Sequence, residues 1–293
     1  MDSGIGICTF EAMQGEGLLS NEEVNRFLQG LKERTNIDFT GYSVASAARR
    51  LNRIRKEYGL FSYDTLLEKI CSQPLLRMDF IERFTVNVTE MFRDPSFFKL
   101  LIPEVIRYAE DHRGSKPIQI WHPGCSSGEE ILSLAIALHL HDRLDQFRFY
   151  GSDINEKVLE RATRRLVKTR LLNEYEKAFN QSTAYSDLAQ FFEYVNKDES
   201  RLLPSIPLDA RFAVQNLTSL SWPGKGPFDI IICRNVMIYF APDLQNEVFS
   251  FLLSKLKIGG LLALGHKESI VFCREASRLE TLHHDARIFR KVQ

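Results

Sequence analysis

A membrane span needs about 20 consecutive apolar residues, and this 293-residue chain contains no such run. Its N-terminus also lacks the basic segment and hydrophobic core of a secretory signal. Together these absences predict a cytoplasmic protein with no membrane insertion. Five cysteines, Cys8, Cys71, Cys125, Cys233 and Cys273, are scattered without a C-x-x-C pair, which argues against a disulfide framework or a zinc site. They are expected to be reduced thiols, and no metal is expected. Net charge is missing as well: 38 Lys and Arg face 38 Asp and Glu, so nothing global draws the chain to nucleic acid. Neither an internal repeat nor a low-complexity tract is present. What remains, 44% hydrophobic and 26% charged residues, suits a globular chain with one or two buried cores.

The chain divides by pattern. Residues 1–19 are Gly-rich and irregular and read as an N-terminal arm. From 20 to 84 only helical patterns occur, with stops at Gly41, Gly59 and the Gln73-Pro74 break, which predicts a small all-α domain. Residues 85–117 read as a linker and a motif-bearing helix that begins near Asp94-Pro95. From 118 to 293, apolar runs at 118–122, 147–152, 211–215, 228–233, 261–265 and 286–292 alternate with amphipathic helices. That alternation predicts an α/β domain with a mainly parallel sheet covered on both faces. Residues 167–210 break it with Tyr175, Tyr185, Phe191, Phe192 and Tyr194, and either a core-covering excursion or a separate subdomain would fit.

The most telling stretch is Trp121 to Glu130, reading WHPGCSSGEE. It joins a strand-like run to an apolar helix, so Gly124 and Gly128 fall on a strand-to-helix turn, where backbone can approach a ligand closely and helix N–H groups stand unpaired. The spacing is not the dinucleotide pattern G-x-G-x-x-G, and no Lys-Ser/Thr follows for a triphosphate. Glu129 and Glu130 at the helix start would repel a polyphosphate while favouring the helix dipole. A cationic ligand suits them better, and S-adenosylmethionine carries a sulfonium and an ammonium but no phosphate. The next strand ends in Asp153, an acid suited to ribose hydroxyls.

Several motifs in order along the chain carry a family resemblance. They are Asn87-Val-Thr-Glu-Met-Phe-Arg93, Gly124-Cys-Ser-Ser-Gly-Glu-Glu130, Ser152-Asp153, Asn216-Leu217, Cys233-Arg-Asn-Val-Met-Ile-Tyr-Phe240 and Gly259-Gly-Leu-Leu-Ala-Leu-Gly-His-Lys-Glu-Ser269. The chain resembles CheR-type protein-glutamate O-methyltransferases. The resemblance implies a Rossmann-like S-adenosylmethionine-dependent domain, a preceding all-α domain, and a small antiparallel β-subdomain within 167–210. It implies methyl transfer to glutamate carboxylates of chemoreceptor-like proteins. It also implies that Arg93 and Tyr239 stand near the reactive carboxylate, and that Asn87, Thr89, Arg93, Gly124, Glu129, Glu130, Asp153, Asn216, Leu217, Arg234 and Asn235 border the cofactor. Departures from the commonest pattern, Met91, Ile131-Leu132 and Lys267, mark a divergent branch.

Such chemistry asks for positioning. A glutamate side chain with a pKa of about 4.3 is already ionised near neutral pH and needs no general base. A planar guanidinium, Arg93, and a hydroxyl donor, Tyr239, suit the holding of it. His266, His283 and His284 are accordingly expected to be structural. For docking, Arg49, Arg53 and Lys56 recur on one face of a helix whose Leu51, Ile54 and Tyr58 face the core. That face is expected to meet acidic coiled-coil helices of chemoreceptor-like proteins, with a merely solvated face as the alternative; RNA fits poorly because stacking aromatics are not interleaved. The protein is expected to act as a monomer. Two rival readings are a methyltransferase for a non-receptor carboxylate and a non-catalytic cofactor-binding adaptor.

Overall fold

The computed structural model describes residues 19–293 apart from 113, 115, 223, 225, 271 and 272. The expected arm over 1–19 lies outside the described residues except for Leu19, and so does Cys8. Four helices come first: α1 (Asn21–Thr35), α2 (Val44–Glu57), α3 (Tyr63–Ser72) and α4 (Pro74–Phe84). Ser20 starts α1 with a capping box, accepting the Glu23 N–H while the Glu23 carboxylate accepts the Ser20 N–H at 2.8 Å. Val24, Phe27, Leu28 and Leu31 form the buried stripe of that helix. Pro74 opens α4, where its missing N–H removes no hydrogen bond. Phe84 anchors the group, with ring centroids 4.7 Å from Phe39 and 5.2 Å from Phe80.

The larger domain holds a seven-stranded sheet in the order β6-β2-β1-β7-β8-β10-β9. Its strands are β1 (Ile118–Pro123), β2 (Phe147–Asp153), β6 (Ala210–Val214), β7 (Phe228–Cys233), β8 (Leu256–Leu264), β9 (Leu279–His283) and β10 (Ile288–Lys291). The first five in that order run parallel, and β10 and β9 pair antiparallel at one edge. Every residue of β7 and all but one of β1 are buried, as expected for central strands covered on both faces. The covering helices are α5 (Pro95–Asp111), α6 (Glu129–Leu140), α7 (Glu156–Thr163), α8 (Leu172–Thr183) and α9 (Pro242–Lys255). The Rossmann-like reading of the sequence holds.

Two strands differ from the expected pattern. β8 begins at Leu256, ahead of the expected 261, because the strand runs through Gly259 and Gly260 as a bulge: Gly259 has φ +80°, and a Cβ on Gly260 would lie 2.6 Å from the Asp229 carbonyl oxygen. β9, which the sequence did not announce, is a short, mostly polar edge strand. Within 167–210 the subdomain reading prevails, with β3 (Leu166–Lys168), β5 (Glu199–Leu202) and β4 (Phe192–Tyr194) forming an antiparallel sheet in the order β3-β5-β4.

The loop between α1 and α2 stitches the two domains together. The Asp38 carbonyl accepts from Asn216 Nδ2 at 2.8 Å and Thr218 Oγ1 at 3.1 Å. Ser43 N–H donates to the Tyr239 carbonyl at 2.9 Å, and Ala241 N–H to the Gly41 carbonyl at 2.8 Å. Beneath these contacts the core of the helical domain is continuous with that of one sheet face, from Phe80 and Phe84 to Phe240, Phe249 and Trp121. Among the described residues no helix is long and apolar enough to cross a membrane.

Candidate active site

One cleft gathers the carboxyl ends of β1, β2, β6 and β7. Strand order reverses at β1, with β2 on one side and β7 on the other, so the loops leaving those strands diverge and open a crevice. The turn after β1 supplies Gly124, Cys125 and Ser126, and the first turn of α6 adds Glu130. Asp153 enters from the end of β2, Asn216 and Leu217 from beyond β6, and Arg234, Asn235 and Tyr239 from beyond β7. Asn87, Thr89 and Arg93 close one side from the linker.

Both glycines of the turn are required by geometry. Gly124 has φ +69°, and a Cβ there would meet Val236 Cγ2 at 2.4 Å; Gly128 has φ +89° where it starts α6. The turn is tied to β2 through Asp153, whose Oδ2 accepts Ser126 N–H at 2.9 Å and whose Oδ1 accepts Asn155 N–H at 3.0 Å. Burial pushes the Asp153 carboxyl above its ordinary value, although these N–H groups pull it down. Each oxygen retains a further lone pair for a ligand. The buried Ser126 hydroxyl, also in the cleft lining, has no hydrogen-bond partner among the described residues.

A buried ion network underlies the adjoining wall. Arg234, its side chain 2% exposed, places Nη1 2.9 Å from Glu130 Oε2 and Nη2 2.5 Å from Asp94 Oδ2, and its guanidinium lies 3.8 Å from the Phe97 ring centroid. His122 Nδ1 is 3.1 Å from Glu130 Oε1. Burial alone would raise the Glu130 carboxyl, but His122 and the Arg234 charge outweigh it and hold the group below its ordinary value. Glu130 therefore presents a fixed negative charge to the cleft.

Glu129 does not join it. Although expected at the cofactor, this side chain is buried outside the cleft lining and takes the Ser127 hydroxyl on both oxygens, at 3.0 and 2.8 Å. Successive residues of a helix diverge by about 100°, so only one of the acid pair can face the ligand side. Asn87 and Asn216 line the cleft with amides already engaged: Asn87 Nδ2 donates to the Glu82 carbonyl at 2.9 Å, and Asn216 holds Asp38. Arg93 is different. Its backbone carbonyl accepts from Arg234 Nη2 at 3.2 Å, but its guanidinium makes one hydrogen bond among the described residues, to the Val88 carbonyl, long at 3.4 Å. The Tyr239 hydroxyl makes no hydrogen bond among them, while its ring faces the Arg50 guanidinium at 4.7 Å.

Arg50 and Tyr42 reach the cleft from the helical domain, and sequence reasoning missed both. Arg50 is not among Arg49, Arg53 and Lys56, the cations expected on the docking face. It donates to the Phe84 carbonyl at 2.9 Å and lies between the core face and the exposed face of α2. Arg49, Arg53 and Lys56 lie on the exposed face. Arg53 is partly engaged by the Arg83 carbonyl at 2.6 Å and Glu57 at 3.7 Å, whereas Arg49 and Lys56 make no ion pair among the described residues. Arg55, on the same helix, is only 4% exposed and donates to the Leu60 and Phe61 carbonyls, closing the end of α2. His266, His283 and His284 are absent from the cleft lining, and among the described residues no His, Cys, Asp and Glu cluster could hold a metal.

Comparisons with known proteins agree on both halves. A family model described as CheR methyltransferase, SAM binding domain, matches residues 87–286, and one described as CheR methyltransferase, all-alpha domain, matches residues 22–85. The Cher3 protein of Pseudomonas putida is 30% identical over 269 residues, covering 92% of this chain and 96% of that one. The chemotaxis protein methyltransferase Cher2 of the same organism is 31% identical, covering 75% of this chain and 80% of its own. A chemotaxis protein methyltransferase of Listeria innocua is 28% identical, covering 84% and 89%. The donor set fits S-adenosylmethionine: two carboxylates, Asp153 and Glu130, flank a glycine turn, and the Ser126 hydroxyl stands without a partner.

Two outcomes follow from this geometry. Asp153→Ala should lower affinity for S-adenosylhomocysteine by about one to two decades, the worth of charged hydrogen bonds of roughly 1.5–3 kcal/mol; calorimetry giving wild-type affinity in a folded variant would remove Asp153 from the site. Glu130→Gln should destabilise the protein by roughly 1.5–3 kcal/mol at neutral pH, because Arg234 loses a charged partner. The folded-state pKa of Glu130 lies below its ordinary 4.5, so its ionised form stabilises above that value and the contribution is lost as pH falls through the lowered one. Denaturation curves should therefore differ most above pH 5 and converge in acid, and a gap independent of pH would contradict the network.

Proposed function

The chain belongs to the CheR methyltransferase family, and from that premise we propose that it transfers a methyl group from S-adenosylmethionine to glutamate side-chain carboxylates of chemoreceptor-like proteins. One observation carries this reading: Arg93 and Tyr239, donors with little or no engagement elsewhere, share a cleft with the acids Glu130 and Asp153. Acids suit the cationic methionine end and the ribose, and the free donors suit an incoming carboxylate. The bound cofactor supplies an electrophilic methyl group on a sulfonium.

The chain's own residues do the positioning. Arg93 offers two parallel N–H groups to a carboxylate, and Tyr239 adds an O–H. Arg50, close against the Tyr239 ring, contributes a second positive charge on that side. A substrate glutamate is already ionised, so the work lies in alignment and in partial removal of water from a step that neutralises opposite charges. Holding too tightly would stabilise the ground state. A half-buried Arg93 agrees with a moderate grip.

We assign docking to the exposed face of α2. Arg49 and Lys56 offer unpaired charge beside Arg53 on the domain that also lends Arg50 to the cleft. Acidic coiled-coil helices of a receptor suit that face, and the protein would meet them from the cytoplasm as a monomer. The small antiparallel sheet leaves the part-exposed β4 as an edge, with which an extended receptor peptide would pair.

Arg93→Ala should depress turnover far more than S-adenosylhomocysteine affinity. Tyr239→Phe should do the same more mildly, deleting one donor worth about 0.5–1.5 kcal/mol. Equal losses in binding and turnover would assign both residues to the cofactor. Reversing the charge of Arg49 and Lys56 should weaken methylation of an acidic receptor helix, leave cofactor affinity unchanged, and abolish most of the salt sensitivity of the wild-type reaction. Normal methylation at low salt by the reversed protein would show the face to be solvated surface only.

A further inference from the structure

In the loop after β7, which forms one wall of the cleft, three backbone N–H groups converge on a single carboxylate that lies outside the cleft. Glu268, in the turn beyond β8 and 3% exposed, accepts N–H groups from Asn235 at 3.1 Å, Val236 at 2.9 Å, Met237 at 2.9 Å and Gly265 at 2.5 Å. No cation pairs with it among the described residues. Three of the four donors are consecutive, and they converge because Asn235 adopts φ +60°, a left-handed conformation that turns successive N–H groups to one side. The loop has left the sheet at this point, so those donors have no ladder partner. Gly265 is needed for the arrangement: a Cβ there would lie 2.7 Å from Glu268 Oε2 and 2.9 Å from Asn235 N.

What this loop carries gives the clamp its consequence. Arg234, Asn235 and Tyr239 line the cleft, and Val236 sits against Gly124, where a Cβ would collide with it at 2.4 Å. A displaced loop would therefore disturb the glycine turn and the Tyr239 hydroxyl together. We propose that Glu268 is a positioning residue for methyl transfer, fixing the Asn235–Tyr239 segment through its backbone so that the cofactor wall and the carboxylate-holding hydroxyl keep one geometry. Burial pushes its carboxyl above the ordinary value, and the four N–H groups offset part of that desolvation penalty. The proposal rests on the reading of the cleft as a methyl-transfer site.

Glu268→Gln keeps the shape but sets an amide NH2 against backbone donors, and its single carbonyl oxygen cannot serve all four. In the full-length protein, transfer at saturating S-adenosylmethionine, counted per molecule able to bind S-adenosylhomocysteine, should fall by about tenfold or more, as when buried donors are left unpaired. Glu268→Asp, which keeps the charge, should recover part of that loss. An unchanged rate per binding-competent molecule would reduce Glu268 to a stability residue and overturn the proposal. If the Gln variant does not fold, native-state hydrogen exchange of the wild type decides: Asn235, Val236 and Met237 amides should exchange as slowly as those of β7, and fast exchange there would overturn the clamp. Because exchange and S-adenosylhomocysteine binding need no methyl acceptor, a failure of the clamp is distinguishable from a failure of the glutamate assignment.

Discussion

Everything functional in this protein hangs from the reversal of strand order at β1. Parallel strands on either side of that point send their loops in opposite directions, and the crevice between them is a place where backbone polar groups can face a ligand without opposing a neighbouring strand. The constraint is tight. The turn after β1 and the loop after β7 approach so closely that Gly124 cannot bear a side chain without striking Val236. From this contact outward, Asp153 anchors one flank and Glu268 the other, each by accepting backbone N–H groups.

Charge is sorted within the resulting cleft. Glu130 is held ionised by Arg234 and His122, and Arg234 is balanced again by Asp94, so this buried cation is neutralised by its own neighbours. Arg93 has no such partner and Arg50 makes no ion pair among the described residues. Acidic and basic walls thus face one space, an arrangement that suits bringing a cation and a carboxylate together. The helical domain contributes directly, through Tyr42 and Arg50, while its loop 36–43 binds the ends of β6 and β7. Docking of a partner on α2 would occur on the same helix that places Arg50 in the cleft.

The sequence made legible whatever is encoded in contiguous residues. Gly124, Asp153, Arg93 and Tyr239 each sit in a short motif at the end of a strand or in the linker, and the structure brings them to one cleft. Strands in the sheet centre were legible for the same reason, since burial on both faces demands continuous apolar runs such as Ile230, Ile231 and Ile232. Contacts across long stretches of chain were not. Arg50 differs from Arg49 and Arg53 only by its angle on α2, which decides between Tyr239 and water. Glu268 acts on loop N–H groups whose convergence depends on one left-handed residue. Glu129 and Glu130 look alike in sequence, and only the phase of α6 separates them. Gly259 and Gly260 lie inside β8, which therefore starts ahead of the expected 261, because a bulge uses the residues that a turn would use.

The chemistry proposed for this cleft is methylation of a receptor carboxylate. The most direct measurement presents the purified protein and S-adenosylmethionine carrying a labelled methyl group with a chemoreceptor cytoplasmic domain, then treats the product with mild base. Label should appear on the receptor and be released by base as volatile methanol, the behaviour of a glutamyl methyl ester, and it should fall sharply when Arg93 is replaced by Ala. Base-stable label would place the methyl group on nitrogen or another acceptor and contradict the chemistry. Absence of label from every receptor tested, with S-adenosylhomocysteine still bound, would contradict the assignment of catalysis and favour a cofactor-binding adaptor.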